Sequence, residues 1–224
     1  MRHFLFIAVL GLGFSTTALA QVDKDQLALE VSKVDAENIN RLKEYVWKLH
    51  SVISGEGGSK TTLISEFQFD EKGELQVTVI DGETNIEQKK GARGKAQQSA
   101  MQSKLEYVGN AMKLGMAYTY MTKGQLLDFF DKAEIREENG VIVAVGKNVY
   151  VQGDELTIRL DAKTKFFLSK SFTTKMGSVP VQGELKYATF ESSGVNHVST
   201  IQLKLPTEHV TIDGENKDYT IRVR

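Results

Sequence analysis

The sequence predicts an α+β protein: a curved antiparallel sheet, or half-barrel, with two or three helices on its concave face. After residue 141, short segments of alternating apolar and polar residues recur about every ten residues between Gly, Asp and Asn turns, which is typical of an antiparallel meander. Residues 96–120 instead repeat apolar residues at helical spacing. No Gly- or Pro-rich linker interrupts residues 21–224, so we expect one domain with roughly seven to nine strands.

Residues 1–20 are predicted to be a signal peptide. A short basic start precedes an apolar run at residues 4–14, and Ala18 and Ala20 supply the small-x-small pattern that signal peptidase cuts. Cleavage would fall between Ala20 and Gln21. The apolar run is shorter than the roughly 20 residues that cross a bilayer, so we expect no transmembrane segment in the mature chain. An uncleaved N-terminal anchor is the alternative.

Composition narrows the compartment and the partners. The chain has no Cys, which excludes disulfides, a thiol nucleophile and a lipoprotein anchor at the cleavage site. Lys and Arg number 28 against 29 Asp and Glu, for a net charge of −1. That balance argues against a nucleic-acid or anionic-membrane partner attracted by bulk charge. We expect a soluble protein that is periplasmic or secreted.

The first half of the mature chain is predicted to be a helical region followed by a hairpin. Residues 22–53 are predicted to form one or two helices, although the β-branched residues 52–53 fit the start of a strand as well. The helical face would carry Leu42, Tyr45, Val46, Leu49, Val52 and Ile53. Residues 61–69 and 74–81 alternate as two strands, and Gly73 supplies the positive φ that their turn needs.

The second half is predicted to be two helices and then the sheet. The longer helix carries an apolar stripe, and Thr122 with Gln125 forms a capping box that starts a short helix ending near Ala133. The stripe consists of Met101, Leu105, Val108, Met112, Met116 and Tyr120. Residues 136–140 are predicted to be a loop. The expected strands cover 141–145, 148–152, 155–161, 165–174, 181–190, 197–205, 210–213 and 218–223, with a bulge at Gly146.

The methionines of the long helix suggest a ligand site. Met side chains are flexible and polarisable and adapt to irregular apolar shapes, so a Met-bearing helix over a curved sheet is suited to line a lipid-binding cavity. The residues predicted to line it are Met112, Met116 and Tyr120 from the helix and Phe166, Leu168 and Leu185 from the sheet. The alternative is ordinary core packing. The deciding quantity is an empty apolar volume, which for a ligand pocket is on the order of 300 Å³.

Tyr45 and Trp47 are predicted to mark an interaction surface. Trp47 is the only tryptophan, and the two side chains point to different sides of a helix but to one side of a strand. An exposed aromatic pair would suit a partner protein of the cell envelope. Alternatively, one of the pair packs beneath the edge of the sheet.

No catalytic, metal or cofactor site is predicted. His50, His197 and His209 lie in different segments without the spacing of a zinc site. No Gly-x-Ser-x-Gly nucleophile elbow occurs, and Glu137 with Glu138 fits solubilising charge better than an acid–base pair. We therefore expect no cofactor and a protein that is not an enzyme.

Two resemblances add to these inferences. Residues 42–48 with their Tyr-x-Trp, the Gly-rich residues 55–60 and the basic helix entry at 89–95 resemble a family of uncharacterised exported bacterial proteins, which brings no activity. Residues 149–168 and 205–219 are similar to the periplasmic lipoprotein carriers (outer-membrane lipoprotein-sorting, half-barrel type). That second resemblance implies a curved sheet that holds acyl chains against its helices. No position matches a ligand-gating arginine.

The leading hypothesis is therefore a non-catalytic exported protein that binds an apolar or lipid-like ligand in the concavity of the sheet. The second is a structural or protein-interaction module of the envelope, with a filled core and no ligand. An unrecognised hydrolase is the third.

Overall fold

The computed structural model describes residues 23–85, 92–190 and 193–222. In them, three helices pack against an open, curled antiparallel sheet of ten strands, which confirms the predicted α+β class. The helices are α1 (Lys24–Leu42), α2 (Ala92–Thr119) and α3 (Lys123–Lys132). The strands are β1 (Tyr45–Ser54), β2 (Lys60–Phe69), β3 (Leu75–Asn85), β4 (Glu134–Glu138), β5 (Val141–Lys147), β6 (Glu155–Asp161), β7 (Phe167–Met176), β8 (Val179–Phe190), β9 (Val195–Leu205) and β10 (Val210–Ile221).

The sheet consists of two meanders, β1 to β3 and β4 to β10, that one long-range pairing joins. Its strand order is β3-β2-β1-β10-β9-β8-β7-β6-β5-β4, so β4 to β10 follow the chain and β1 joins the last strand. The β1–β10 pairing runs from Tyr45 opposite Ile221 to Ser54 opposite Thr211. It places β1 between the C-terminal strand and the hairpin β2–β3, and it leaves β3 and β4 as the two edges.

One face of the sheet is apolar and carries the helices. Helix α2 packs against β7, β8 and β9, and α1 packs against α3 and β9. We call the larger buried cluster the main core. Its members include Val31, Ala111, Leu126, Phe130, Leu156, Ile158, Leu160, Leu185 and Leu203. Because side chains alternate along each strand, β6 buries Leu156, Ile158 and Leu160 on this face and turns Thr157 and Arg159 to the other.

The helix ends follow the local sequence. The Asp23 carboxylate caps α1 by accepting from the backbone N–H groups of Asp25 and Gln26. At α3 the predicted capping box is confirmed, since the Thr122 side chain accepts from the backbone of Gln125 and the Gln125 side chain accepts from that of Thr122. Among the described residues, no helix combines the length and hydropathy of a membrane span.

The helix predicted through residue 53 is wrong in its second half. Helix α1 ends at Leu42, and Tyr45–Ser54 is strand β1, so the helical face drawn through Tyr45 and Leu49 does not exist. Residues 47, 49, 51 and 53 are buried in alternation, which is the period of a strand. Pairing with β2 and β10 on both sides selects strand where the sequence fitted both periods.

The other corrections concern polar segments. Residues 148–152 form a turn rather than a strand, because the Asp154 carboxylate accepts from the backbone N–H groups of Val149, Tyr150 and Val151. Residues 136–140 contain the end of β4, a polar edge strand that the alternation of apolar residues does not reveal. The segments predicted at 210–213 and 218–223 form one strand, β10.

Gly146 serves close packing rather than a bulge. The β5–β6 register continues without interruption from Val141 to Lys147. A Cβ at Gly146 would lie 2.5 Å from the Phe129 ring, so glycine lets α3 approach the strand. The predicted bulge is therefore absent.

Candidate functional site: an apolar cleft beneath helix α2

A second buried cluster lies under the part of the sheet formed by β1, β2, β9 and β10. We call it the aromatic cluster. Its buried members are Leu42, Trp47, Leu49, Phe67, Phe69 and Val195, with Met112, Met116, Tyr120, Tyr45 and Tyr219 partly buried against them. The Trp47 ring stacks on Phe67 at 5.8 Å and on Tyr219 at 6.0 Å between centroids. Helix α2 covers this cluster with its C-terminal third.

A narrow cleft separates α2 from the aromatic cluster. The described residues that line this α2 cleft are Trp47, Leu49, Phe67, Met112, Gly115, Met116, Thr119, Tyr120, Val198, Ile201, Leu203 and Asn216. The cleft encloses about 20 Å³, which is room for about one water molecule and far less than the roughly 300 Å³ of a ligand pocket. In this conformation the Met side chains and the rings fill the concavity.

Apolar surface continues from the cleft to the open edge at β3. Val77 pairs with Phe67 and Val79 pairs with Ser65 across the β2–β3 hairpin. Directly opposite residues point to the same face, so both valines lie on the helix-bearing face. Val77 is 44% exposed and Val79 is 61% exposed. This end of the concave face is therefore apolar and accessible.

The structure brings together the helix residues of the predicted site but separates them from the sheet residues. Met112, Met116 and Tyr120 all line the cleft. Leu185 is fully buried in the main core instead. The side chains of Met101 and Leu105, from the same helical stripe, lie outside the described part of the chain.

Phe166 and Leu168 are corrected for a reason of register. Strand β7 starts at Phe167, which points into the main core and is 4% exposed, whereas Leu168 faces the opposite side and is 39% exposed. Phe166 ends the preceding turn, where its N–H donates to the Thr164 hydroxyl. The β6–β7 register shifts here: Leu160 pairs with Phe167 and Arg159 pairs with Ser169, so Leu168 is the extra residue of a β-bulge and points away from the core.

The predicted interaction surface at Tyr45 and Trp47 is also corrected. Trp47 is 1% exposed, and Tyr45 is partly buried against the same aromatic cluster. The two share a side because they belong to a strand, and that side faces the interior. Trp47 therefore packs beneath the sheet, which is the alternative that the sequence left open for one of the two residues. The predicted cleavage site at Ala20 and Gln21, like the rest of the signal peptide, lies outside the described residues.

A chain of polar side chains sits behind the cleft. Nε2 of His197 lies 2.8 Å from the Tyr120 hydroxyl, and Nδ1 lies 2.5 Å from the Tyr219 hydroxyl. His197 is 3% exposed, and burial lowers its pKa to about 3, so the imidazole is neutral. Burial also raises the pKa of both tyrosines. The Trp47 ring meets the imidazole at 5.1 Å between centroids.

Sequence reasoning did not connect these three groups. They come from the end of α2, from β9 and from β10, and no local spacing relates them. In the structure, His197 is the one titratable member of the buried residues 195–198 at the start of β9, and burial of this kind is not marked by any pattern in the sequence.

The C-terminal end of α2 is fixed to the main core by buried polar groups. Lys170 is 1% exposed and donates to the carbonyl oxygens of Tyr118 at 3.2 Å and Thr119 at 2.9 Å. These carbonyls have no partner within the helix, and a cation favours this end of the helix dipole. Burial lowers the Lys170 pKa to about 8. The Tyr118 hydroxyl donates to Asp154 at 2.6 Å. Both buried charges therefore hold the helix end.

The described residues assemble no metal centre. No group of three or more His, Asp or Glu side chains in ranges 23–85, 92–190 and 193–222 is placed to hold a metal ion. What the site offers is apolar surface, flexible Met side chains and one neutral hydrogen-bonding chain. Those features suit binding of an apolar molecule.

No protein-family model matches the chain, and the comparison with curated proteins finds no match. Solved structures that are similar to it include the following three. A DUF1329 family protein from Desulfovibrio piger is 10% identical with a TM-score of 0.44, covering 89% of this chain and 92% of that one. A LolA superfamily protein from Nitrosomonas europaea is 6% identical with a TM-score of 0.42, covering 88% and 94%.

The third structure is an outer membrane lipoprotein-sorting protein domain from Vibrio parahaemolyticus. It is 8% identical with a TM-score of 0.38, and the match covers 88% of this chain and 94% of that domain. These proteins match, at the level of the fold, the resemblance that the sequence indicated. Likeness of this degree assigns neither a ligand nor a partner to this chain.

Proposed function

We propose that this chain is a non-catalytic binding protein for an acyl-type ligand, held between helix α2 and the aromatic cluster, and that it works in the periplasm or as a secreted protein. The observation that carries the proposal is the continuity of the apolar surface. It runs from Met112 and Met116 in the cleft across Phe67 to the exposed Val77 and Val79 at the β3 edge. An acyl chain entering at β3 meets apolar contacts along this whole path.

Binding requires the cleft to widen, because it encloses only about 20 Å³. The two Met side chains are the part that yields, since Met has three rotatable bonds and fills irregular spaces at low cost. The C-terminal end of α2 stays fixed through Lys170 and Asp154. The ligand therefore selects a conformation in which the Met112 and Met116 side chains have moved aside while the helix end stays in place.

The energy available to an acyl chain is sufficient for this change. Each buried methylene contributes about 0.8 kcal/mol, so fifteen of them contribute roughly 12 kcal/mol before the costs of association, ordering and opening, which begin at about 4 kcal/mol. A net of roughly 7 kcal/mol corresponds to a Kd of roughly 10 μM. A long acyl chain thus binds, whereas a short chain buries too few methylenes to offset the free-energy cost of widening the cleft.

The alternative is an envelope module with a filled core and no ligand. The specific observation in its favour is the same small volume of the cleft. The two functions differ in one respect: only the first requires that the Met side chains give way to a ligand.

The test is displacement of Nile red, a neutral fluorescent probe, by a long-chain monoacylglycerol. Met116→Gln places an amide in the cleft and should weaken binding about tenfold, because burying an unpaired amide costs about 1–3 kcal/mol. Met176→Gln is the matched control, since Met176 packs against the main core away from the cleft. Its affinity should stay at the wild-type value.

If the wild type neither binds the probe saturably nor releases it to the lipid, the filled-core alternative holds. Equal weakening by both Met substitutions would place the ligand outside the α2 cleft.

A further inference from the structure

The Tyr120–His197–Tyr219 chain has one more hydrogen-bond donor than it uses. A neutral imidazole carries one N–H and one lone pair, and each tyrosine carries one O–H. That makes three donors for the two hydrogen bonds that join the chain. If Nδ1 is protonated, it donates to Tyr219 and Tyr120 donates to Nε2, so the Tyr219 proton is unused. If Nε2 is protonated, the Tyr120 proton is unused.

The two tyrosines differ in what surrounds them. Tyr120 lines the α2 cleft. Tyr219 is stacked on Trp47 at 6.0 Å and packs against Phe190 at 4.1 Å. Because Tyr120 is the one of the two tyrosines that lines the cleft, its hydroxyl is the donor nearer to a ligand there. When that ligand offers an acceptor, the Nε2–H tautomer becomes favoured: Tyr219 donates to Nδ1, Nε2–H donates to the Tyr120 oxygen, and all three donors are satisfied.

The surroundings select the kind of acceptor. No Lys or Arg occurs among the described residues that line the cleft, and the imidazole behind it is neutral because burial lowers its pKa to about 3. A carboxylate brought here would lose its hydration without gaining a cation, which is costly. An ester or amide carbonyl needs only a donor.

We propose that Tyr120 recognises the ligand by donating a hydrogen bond to an uncharged carbonyl oxygen, so that the ligand is an acyl ester or amide rather than a free fatty acid. This inference rests on the proposed function, because it requires a ligand in the α2 cleft. It assigns a polar subsite to a surface that is otherwise apolar.

The test compares a monoacylglycerol with the monoalkylglycerol ether of equal chain length, which lacks only the carbonyl. Wild type should bind the acyl compound roughly three- to tenfold more tightly, the range of one net hydrogen bond. Tyr120→Phe should remove this preference while leaving the affinity for the ether unchanged, which also shows that the variant is folded. Tyr45→Phe, in the same cluster but outside the cleft, is the control and should keep the preference.

The outcomes separate the two proposals. If wild type binds both compounds equally, or if Tyr120→Phe keeps the preference, the carbonyl subsite is refuted while ligand binding stands. If wild type binds neither compound, the proposed function fails and the subsite fails with it. A free fatty acid that binds wild type as tightly as the monoacylglycerol at pH 8 also refutes the subsite.

Discussion

The main core and the aromatic cluster lie on the same face of one sheet but are closed in different ways. In the main core, Leu156, Ile158 and Leu160 are completely buried beneath the helices. The aromatic cluster is as buried at Trp47, yet it borders Val77 and Val79, which are 44% and 61% exposed. The main core is completely covered by the helices, whereas the aromatic cluster adjoins apolar surface that is exposed at the β3 edge.

The buried titratable groups follow the same division. Lys170 holds the end of α2 through two carbonyl oxygens. Its ammonium group also makes a cation–π contact with Phe167 at 4.2 Å, so it already has partners on both sides. His197 joins two tyrosines and leaves one donor free. The Lys170 ammonium donates to two carbonyl oxygens at the helix end, whereas burial holds His197 neutral between two tyrosine hydroxyls.

The largest expected effect is acid destabilisation through the aromatic cluster. The His197 pKa is about 3 in the folded protein and about 6.5 when unfolded. Between these values the unfolded state binds the extra proton, so stability falls as the pH falls. The free energy of unfolding should decrease by about 3 kcal/mol from pH 6.5 to pH 4. Urea titrations at each pH measure it.

His197→Gln is the control for that prediction, because Gln keeps hydrogen-bonding capacity and does not titrate. It should remove most of the decrease over this pH window. A variant with the wild-type pH dependence would show that the proton is taken up elsewhere.

A smaller change in the free energy of unfolding is expected at alkaline pH, from Lys170 beside the main core. The Lys170 pKa is about 8 in the folded protein and about 10.4 when unfolded. Between these values the folded state has lost a proton that the unfolded state keeps, so stability rises with pH. The free energy of unfolding should increase by about 2 kcal/mol from pH 8 to pH 10.

Lys170→Met, similar in length and uncharged, should abolish this alkaline increase while ligand binding is retained. The measurement is again chemical denaturation, now with the Nile red assay beside it. If the increase persists in Lys170→Met, another group causes it. Loss of ligand binding would show that the two regions are coupled more closely than their packing indicates.

The sequence was informative where a pattern is local. Spacing along α2 identified Met112, Met116 and Tyr120 as one face, and the Thr122 capping box marked the start of α3. Alternation identified the strands and therefore the class of the fold. These features depend on neighbours within a few residues.

What the sequence did not reveal depends on distant partners. Strand β1 was taken for helix because its pairing with β10 joins residues far apart in the chain. Leu168 faces outward because the pairing of β7 with β6 places a bulge between Phe167 and Ser169, and no local pattern reveals that bulge. His197 meets Tyr120 and Tyr219 only after the sheet has curled around α2.

The central claim, that an acyl chain occupies the α2 cleft, is tested most directly through Trp47. This residue is the only tryptophan of the chain and lines the cleft, so its fluorescence reports on the site alone. Titration with a monoacylglycerol carrying bromine atoms in mid-chain should quench the emission saturably, because bromine quenches an indole only at short range. The unbrominated lipid should not quench it. If the brominated lipid does not quench the Trp47 emission saturably, the account is contradicted, whether the lipid binds elsewhere on the protein or does not bind at all.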